Sequence, residues 1–492
     1  MPAPNLIFFV VDQWRGDVLG HLGNSAAHTP NLDAWVASSA VSFRHAFIQN
    51  PVCTPSRCSF MTGWYSHVRG HRTIYHMLQP DEPMLLRSLK QAGYYVWWGG
   101  KNDVVPAQYG FDAFCDFRLS YPDRLCRRDL HSYNDWRGAP DQPGFYSFYA
   151  GRLDKPANYP ADEPFYFDMD WHTVLSAIDF LADPPTNQPW CLYINISFPH
   201  PPYGVEEPWY SLIDRHHLPH RIPAPPSWEG KPAMLTGIYE NQNLQSWGED
   251  QWDELRATYY GMCARTDHQF GLLLDRLNKS GLNNSTAIFF FSDHGDFAGD
   301  YGLVEKSQNT FEDCLVCVPF LVKPPAWIPI RPGIRDALIE LVDFSATVED
   351  LVGLPSTHTH FGRSLLPLIA GDIDTHRTAV FCEGGRIQGE IQAMETLDEK
   401  QGRNWLYWPR LEVQHRSDAA HTKAVMCRTA EYKYVYRLYE QDELYDLRSD
   451  PQELHNRIAD PGLENIRQAL KDCVLEFLLG TGDNVPHQLD RR

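Results

Sequence analysis

The pentapeptide from Cys53 to Arg57 combines residue types that could do chemistry. Thr54 can cap a helix and Pro55 suits a first helical turn, so the pattern predicts a helix with Cys53 at its positive end. The field at that end lowers the pKa of a thiol and attracts anions. A buried core cysteine would not need Arg57 close by. The residues alone leave three roles open for Cys53, which are a nucleophile, a metal ligand and a half-buried structural cysteine.

Two pairs of polar residues directly follow apolar runs. Asp12-Gln13 follows NLIFFVV, and Asp293-His294 follows TAIFFFS. Two carboxylates with an amide and an imidazole suit Ca²⁺, Mg²⁺ or Mn²⁺ better than a metal that prefers thiolates. Each aspartate taken alone could instead cap a following helix. The repetition of the pattern after two runs favours a cation site.

Two further apolar runs also lead into polar residues. YYVWWGG is followed by Lys101, Asn102 and Asp103, and WCLYINIS leads through Phe-Pro to His200. Ligands of open α/β sheets bind beyond the carboxyl ends of the strands. We therefore expect the carboxylates, the lysine and the histidine to meet at one edge of a sheet.

These four runs have the composition of buried parallel strands, and helix-like stretches separate them. One such stretch, Pro83–Gly93, ends at a glycine. The alternation predicts an α/β fold in which helices cover both faces of a large mixed, mostly parallel sheet. The segment Phe114–Pro164 is rich in Pro, Tyr, Asp and Arg and lacks a period, which is typical of a surface elaboration with a binding role.

The pattern changes after residue 372. Several short strand-like pieces follow, and then an amphipathic helix from about Gly462 to Leu479. We predict a large catalytic domain over residues 1–374. Residues 375–492 are predicted to form a smaller α+β domain with an antiparallel sheet and a closing helix.

Composition and charge limit the classes of partner. The chain has 492 residues and a formal net charge of −20, which argues against binding to nucleic acid or to an anionic membrane. Its eleven cysteines show no framework spacing, which indicates reduced thiols in a cytoplasmic protein. The first residues lack the basic region of a signal peptide, and no run approaches the length of a membrane span.

The segment CTPSR, followed by Thr62-Gly63, resembles the C-x-P-S-R signature of the type I sulfatases, the formylglycine-dependent enzymes of the alkaline phosphatase superfamily. Other segments resemble that family in the same order along nearly the whole chain. They are PNLIFFVVDQ, HTPNLDAWVASSAVSFRHAF, GYYVWWGGK, SFPHPP, SDHGDFAGDYGLVEKSQNTFED and ELYDLRSDPQELHN. The resemblance implies the alkaline phosphatase-like form of the predicted fold.

The resemblance implies that Cys53 is not used as a thiol. A formylglycine-generating maturation enzyme would recognise the signature in the unfolded chain and oxidise Cys53 to formylglycine. The aldehyde hydrates to a geminal diol, one hydroxyl attacks sulfur, and loss of a proton from the second hydroxyl expels sulfate. This is covalent catalysis with a built-in release step.

The same resemblance implies the metal ligands. Asp12, Gln13, Asp293 and His294 would hold one divalent cation together with an oxygen of modified Cys53. Ca²⁺ is favoured, with Mg²⁺ and Mn²⁺ as alternatives.

The remaining catalytic residues also follow from the resemblance. Arg57 would orient the diol and offset its charge. Lys101 and Lys306 would hold sulfate oxygens, where negative charge accumulates in the transition state. His200 would protonate the departing alcohol oxygen, a role that suits an imidazole near its ordinary pKa.

The chain departs from the family pattern at several positions. Asp-Gln and Asp-His replace Asp-Asp and Asp-Asn, which also resembles choline sulfatases and phosphonate monoester hydrolases. The usual G-K-x-H reads G-K-N-D here, so Asp103 stands where a histidine is expected. We predict that Asn102 and Asp103 contact substrate, for example a hydroxyl or an ammonium group. His71 and Arg72, which follow the signature helix, are further predicted substrate contacts.

The sequence thus predicts a sulfatase that acts on a sulfated carbohydrate, either a small molecule or an oligosaccharide. The first alternative is a phosphonate monoester or phosphodiester hydrolase that uses the same formylglycine. The second alternative is a binder of sulfated ligands in which Cys53 stays unmodified and no catalysis occurs. The oligomeric state is left open.

Overall fold

The computed structural model describes residues 3–122, 125–126, 142–146, 148–155, 166–485 and 487. The segment Phe114–Pro164 was predicted to be a surface elaboration with a binding role. Much of it lies outside the residues that the structure describes.

Fifteen strands occur within the described residues. They are β1 (Asn5–Asp12), β2 (Val41–Phe47), β3 (Tyr95–Gly100), β4 (Phe117–Arg118), β5 (Tyr149–Leu153), β6 (Trp190–Pro199), β7 (Tyr203–Glu206), β8 (Thr286–Ser292), β9 (Cys317–Val318), β10 (Phe320–Lys323), β11 (Gly333–Glu340), β12 (Val380–Gly384), β13 (Ala424–Arg428), β14 (Tyr432–Arg437) and β15 (Glu443–Asp446).

The α-helices of the same residues vary from single turns to one helix of 31 residues. They are α1 (Pro30–Ser38), α2 (Cys53–Thr62), α3 (Ser66–Arg69), α4 (Leu85–Gln91), α5 (Met169–Phe180), α6 (Trp209–Leu212), α7 (Ala233–Gln242), α8 (Glu249–Lys279), α9 (Asp313–Val316), α10 (Asp343–Val352), α11 (Leu366–Ala370), α12 (Trp408–Arg416) and α13 (Glu464–Thr481). Across the described ranges, no helix is both long and apolar enough to traverse a bilayer.

The largest sheet has nine strands in the order β11-β2-β10-β8-β1-β6-β3-β4, with β9 paired to β2. β1 lies between β6 and β8, and all three run parallel. β10 is antiparallel to β8 and β2, and β9 is antiparallel to β2. The predicted mixed, mostly parallel sheet is confirmed.

Hydrophobic residues cover both faces of this sheet, as expected for strands that are apolar at nearly every position. Along β1, alternate residues enter two different cores. Phe8 contacts Phe344 of α10 on one face at a centroid distance of 4.9 Å. Phe9 contacts Phe270 of α8 on the other face at 5.2 Å. The helices therefore enclose the sheet as predicted.

A second, antiparallel sheet has the order β12-β13-β14-β15. α13 packs on it, and the rings of Phe477 and Phe381 stack with centroids 4.1 Å apart. The predicted small sheet and its closing helix are confirmed. The predicted division between residues 374 and 375 stays a prediction.

The predicted capping role of Thr54 is wrong. α2 begins at Cys53, and Val52 occupies the position before it without a capping side chain. The Thr54 hydroxyl instead lies 3.5 Å from the carbonyl oxygen of Ile74. Pro55 does lie in the first helical turn, where its missing N–H costs no hydrogen bond.

Gly100 ends β3 in a conformation and a location that exclude a side chain. Its φ is +86°, and a Cβ atom there would overlap the carbonyl oxygen of Asn195 on the neighbouring strand β6. This close approach sets the direction in which the chain leaves β3 toward Lys101. Gly93 has a similar φ of +90°, but a Cβ there would meet no atom within 4 Å.

These two glycines allow a matched test of that close approach. Gly93→Ala should cost about 1–2 kcal/mol because only the left-handed backbone is strained. Gly100→Ala should cost about 1–3 kcal/mol more, because the β6 backbone must also move. Denaturant unfolding of both variants measures the difference. Equal losses of stability would show that the contact with Asn195 does not constrain this edge of the sheet.

Candidate active site

Four buried side chains converge at the carboxyl end of the central strands. They are Asp12, Cys53, Asp293 and His294, and one ligand atom from each lies within 4.8 Å of all the others. We call this group the tetrad. Its members come from the end of β1, the start of α2 and the residues that follow β8.

Strand register brings the two aspartates together. Val11 of β1 pairs with Ser292 of β8, so the next residue of each strand is an aspartate at the same level. α2 adds Cys53, and the Ser56 hydroxyl fixes this helix by donating a hydrogen bond of 2.6 Å to the Asp293 carbonyl oxygen. The expectation that these residues meet at one edge is confirmed.

Arg57 links both carboxylates of the tetrad and has no exposed surface. Its Nε donates to Asp293 at 2.7 Å, and its Nη2 donates to Asp12 at 3.2 Å. Its Nη1 donates to the side-chain oxygen of Asn195 at 2.8 Å. Burial would raise the pKa of Asp12, but the positive charges of Lys101 and Arg57 hold it well below its usual value. Asp12 is therefore an anion in this site.

The tetrad fits a cation. Asp12 Oδ1 and His294 Nε2 are buried 3.6 Å apart, and neither has a hydrogen-bond partner among the residues that the structure describes. His294 Nδ1 lies 2.9 Å from the Gly295 carbonyl oxygen, which directs Nε2 toward the carboxylates. Burial also lowers the pKa of His294, so its imidazole is neutral and can act as a ligand. A divalent cation would satisfy both atoms.

Gln13 lies beside the tetrad, and both the oxygen and the nitrogen of its side-chain amide form hydrogen bonds. Its oxygen accepts a hydrogen bond from Lys306 Nζ at 2.8 Å, and its nitrogen donates to Asp296 at 2.6 Å. The residue has a φ of +72°, which turns the chain sharply after β1. Its role as a metal ligand stays a prediction.

The predicted low pKa of the Cys53 thiol is wrong. Only 3% of this residue is exposed, and burial raises the pKa of its thiol to about 12. Lys101 and Lys306 act in the opposite direction but do not offset the loss of solvation. The unmodified side chain is therefore a neutral thiol at physiological pH, which makes it a weak nucleophile.

Lys101 and Lys306 both lie close to residue 53. Lys101 Nζ contacts Asp12 at 2.6 Å and Asp103 at 2.8 Å. Lys306 Nζ contacts Glu305 at 2.9 Å. Two ammonium groups near a cluster that also suits a cation create a place for an anion.

The His200 ring is held at both nitrogens. Nδ1 lies 2.6 Å from the Pro201 carbonyl oxygen, which places a proton on Nδ1. Nε2 lies 3.1 Å from Lys306 Nζ and 3.2 Å from the Tyr407 hydroxyl. Burial and the charge of Lys306 lower the pKa of His200 well below its ordinary value. The expectation that His200 has an ordinary pKa is therefore wrong.

Of the predicted substrate contacts, Asp103 is linked to the tetrad through Lys101, which contacts both Asp103 and Asp12. Asn102 stabilises the loop in which it lies. Its side chain donates to the Val105 carbonyl oxygen at 2.6 Å and accepts from the Val105 N–H at 3.0 Å. The role of both residues in substrate binding stays a prediction.

His71 and Arg72 make contacts within the protein. His71 Nδ1 lies 2.8 Å from the His76 carbonyl oxygen, and Nε2 lies 3.0 Å from Glu82. Arg72 pairs with Glu390 at 2.9 Å. These contacts tie the loop after α3 to other segments, and the predicted contact with substrate stays a prediction.

Two residues of this site, Asn195 and Tyr407, were not predicted from the sequence. Asn195 accepts from Arg57, and its signal was a single amide inside the otherwise apolar strand WCLYINIS. Tyr407 contacts His200 from a segment more than 200 residues away. The sequence around Tyr407 contains no motif that would have identified it.

Comparisons with known proteins agree with this geometry. The family model described as Sulfatase matches residues 4–354. The chain is 26% identical to the choline-sulfatase of Rhizobium meliloti over 478 residues, which covers 93% of this chain and 83% of that protein. It is 25% identical to the ulvan-active sulfatase of Formosa agariphila over 492 residues, with 98% and 82% covered.

Solved structures show the same fold. The phosphonate monoester hydrolase of Agrobacterium radiobacter has a TM-score of 0.76 and 22% identity, with 99% of this chain and 100% of that chain covered. The predicted alkaline phosphatase-like architecture is confirmed.

The unpartnered atoms of the tetrad predict stabilisation by a divalent cation. At a concentration 100 times its Kd, Ca²⁺ should add about 2.7 kcal/mol to the free energy of unfolding. Thermal unfolding with and without Ca²⁺, Mg²⁺ or Mn²⁺ measures this shift. His294→Ala should abolish most of it, whereas His421→Ala, which removes a buried imidazole outside the tetrad, should not. An unchanged shift in His294→Ala would rule out cation binding by the tetrad.

Proposed function

Since the chain belongs to the sulfatase family, we propose that it hydrolyses the sulfate ester of a sulfated carbohydrate, with Cys53 converted to formylglycine. The observation that carries this proposal is the tetrad, in which Cys53 lies against two carboxylates and an imidazole. Lys101, Lys306 and His200 complete the site around it.

The chemistry of the Cys53 side chain supports its conversion. A thiol with a pKa of about 12 contributes little thiolate at neutral pH, so an unmodified Cys53 would leave the site without a good nucleophile. The hydrate of an aldehyde at this position would offer hydroxyl groups in its place. Because Cys53 is 3% exposed, a maturation enzyme could reach it only before folding. This fits modification of the unfolded chain.

We assign the metal site to Asp12, Gln13, Asp293, His294 and modified residue 53. Carboxylate and amide oxygens favour Ca²⁺, with Mg²⁺ and Mn²⁺ as alternatives. When bound, a divalent cation would lower the pKa of a hydroxyl at residue 53 and offset negative charge on the sulfate. Arg57 serves this site by holding both carboxylates in place. Its contact with the diol is part of the proposal.

Lys101, Lys306 and His200 would act on the substrate itself. The two ammonium groups would bind sulfate oxygens and stabilise the charge that builds up in the transition state. A bound sulfate monoester would place negative charge beside His200 and so raise the pKa of its imidazole. His200 could then carry a proton on Nε2 and donate it to the departing alcohol oxygen.

The charged groups around the site favour a sugar over choline as the alcohol that is released from the sulfate ester. An ammonium group is recognised by aromatic faces and carboxylates. The Tyr407 ring is already covered by Arg410, whose Cζ lies 4.5 Å from the ring centroid. The carboxylates of Asp103 and Glu305 are paired with Lys101 and Lys306. The relative named ulvan-active sulfatase supports the same choice.

We also propose that the protein functions in the cytoplasm. Within the described residues, ten cysteines are free thiols, at positions 53, 58, 115, 191, 263, 314, 317, 382, 427 and 473, which suits a reducing compartment.

Mass spectrometry can determine directly whether residue 53 is a cysteine or a formylglycine. Peptide mass spectrometry should find Cys53 with oxygen in place of sulfur and two fewer hydrogens, while Cys58 of the same helix stays a cysteine. Cys53→Ala should reduce kcat for sulfate esters by at least about 10³-fold, because the nucleophile is absent. A fully active preparation that retains the Cys53 thiol would exclude this function. An unmodified and inactive protein that binds sulfated ligands would support the non-catalytic alternative.

A substrate panel tests the proposed ester class. Sulfated mono- and disaccharides should give kcat/KM values at least about 10²-fold above that of choline sulfate, because the carboxylates near the site are already paired. 4-Nitrophenyl sulfate and a phosphonate monoester complete the panel. Activity confined to choline sulfate would contradict the carbohydrate assignment. A higher kcat/KM for the phosphonate monoester would favour the phosphonate hydrolase alternative.

A further inference from the structure

Tyr407 reaches the site from outside the segments that the family motifs cover. It directly precedes α12, and its carbonyl oxygen accepts a hydrogen bond of 3.1 Å from the Leu411 N–H. Its hydroxyl lies 3.2 Å from Nε2 of His200. Lys306 Nζ lies 5.8 Å from the centroid of the Tyr407 ring.

A buried arginine keeps the Tyr407 ring in place. Arg410 stacks on it, with Cζ 4.5 Å from the ring centroid. Arg410 is itself held by Glu395 at 2.9 Å and by Glu305 at 3.4 Å. The phenol therefore has a defined orientation that does not depend on its contact with His200.

His200 Nε2 faces two groups of different chemistry. The ammonium of Lys306 can only donate, so its contact suits a neutral imidazole and opposes a protonated one. The hydroxyl of Tyr407 can donate to an unprotonated Nε2 and accept from a protonated one. Of these two contacts, the one with Tyr407 is compatible with both protonation states.

Substrate binding should weaken the contact of Nε2 with Lys306 and preserve its contact with Tyr407. In the proposed function Lys306 Nζ turns to a sulfate oxygen, so its contact with Nε2 weakens. The contact with Tyr407 can persist with its direction reversed, because the ring is held by Arg410 and not by Lys306 alone. The phenol oxygen then accepts from the protonated Nε2, whose proton it shares with the departing alcohol oxygen.

From this geometry we propose that Tyr407 is a positioning residue that keeps Nε2 of His200 aligned with the departing alcohol oxygen. The proposal rests on the proposed sulfatase function, in which His200 donates the proton. It assigns to the C-terminal part of the chain a direct influence on the proton-transfer step.

The test compares two esters that differ in their need for a proton. Phenyl sulfate releases a poor leaving group that requires protonation, and 4-nitrophenyl sulfate releases one that leaves as an anion. Tyr407→Phe keeps the ring on Arg410 and removes only the hydroxyl. It should lower kcat/KM about 10²-fold for phenyl sulfate and by less than about threefold for 4-nitrophenyl sulfate.

A second measurement separates positioning from general damage to the fold. In a His200→Ala background, adding Tyr407→Phe should cause no further loss for phenyl sulfate, because the group that it orients is gone. Tyr109→Phe is the matched control, since it removes a half-exposed hydroxyl that contacts Gln79. Both kcat/KM values of this control should equal those of the wild type.

The possible results separate a failure of the proposed role of Tyr407 from a failure of the proposed sulfatase function. Equal losses on both esters, or independent losses in the double variant, would overturn the positioning role of Tyr407 while leaving the sulfatase function intact. A wild-type protein that hydrolyses neither ester nor any sulfated sugar would instead contradict the proposed function.

Discussion

Two buried carboxylates at one end of the central sheet are the constraint on which the site depends. Asp12 and Asp293 belong to a group of ligand atoms within 4.8 Å of one another, and both are shielded from water. Carboxylates this close repel each other strongly where the dielectric is low, so positive charge must lie nearby. Arg57 contacts both of them without any exposed surface of its own. Asp12 Oδ1 and His294 Nε2 have no hydrogen-bond partner in the part of the chain that the structure describes, and their separation of 3.6 Å suits two ligands of one cation.

This constraint explains why remote parts of the chain meet here. β1 and β8 supply the aspartates in register, and the helix that carries Arg57 also carries Cys53. The same arginine binds Asn195 on β6, which lies on the other side of β1 from β8. One guanidinium therefore ties three neighbouring strands to the helix that begins at Cys53. Around this group, Lys101 and Lys306 contact Asp12 and Gln13.

Burial also determines the protonation state of the Cys53 thiol. A helix N-terminus favours a thiolate, but a side chain that is 3% exposed loses more from desolvation than it gains from that field. The site therefore does not activate a cysteine in the manner of a thiol enzyme. It instead presents cationic groups to residue 53, which supports the proposed conversion of Cys53 to formylglycine.

The sequence by itself determined the type of sheet, the strands and the residues that follow them, because apolar runs and the polar residues after them are local patterns. It therefore predicted where Asp12, Asp293, His294 and Lys101 would meet. Only the tertiary structure decided the pKa values of Cys53 and His200, which depend on burial and on charges from distant segments. It also decided the place of Tyr407, since a contact across 207 positions leaves no trace in the local sequence. Solvation and long-range contacts are properties of the folded chain, and for that reason no stretch of residues could specify them.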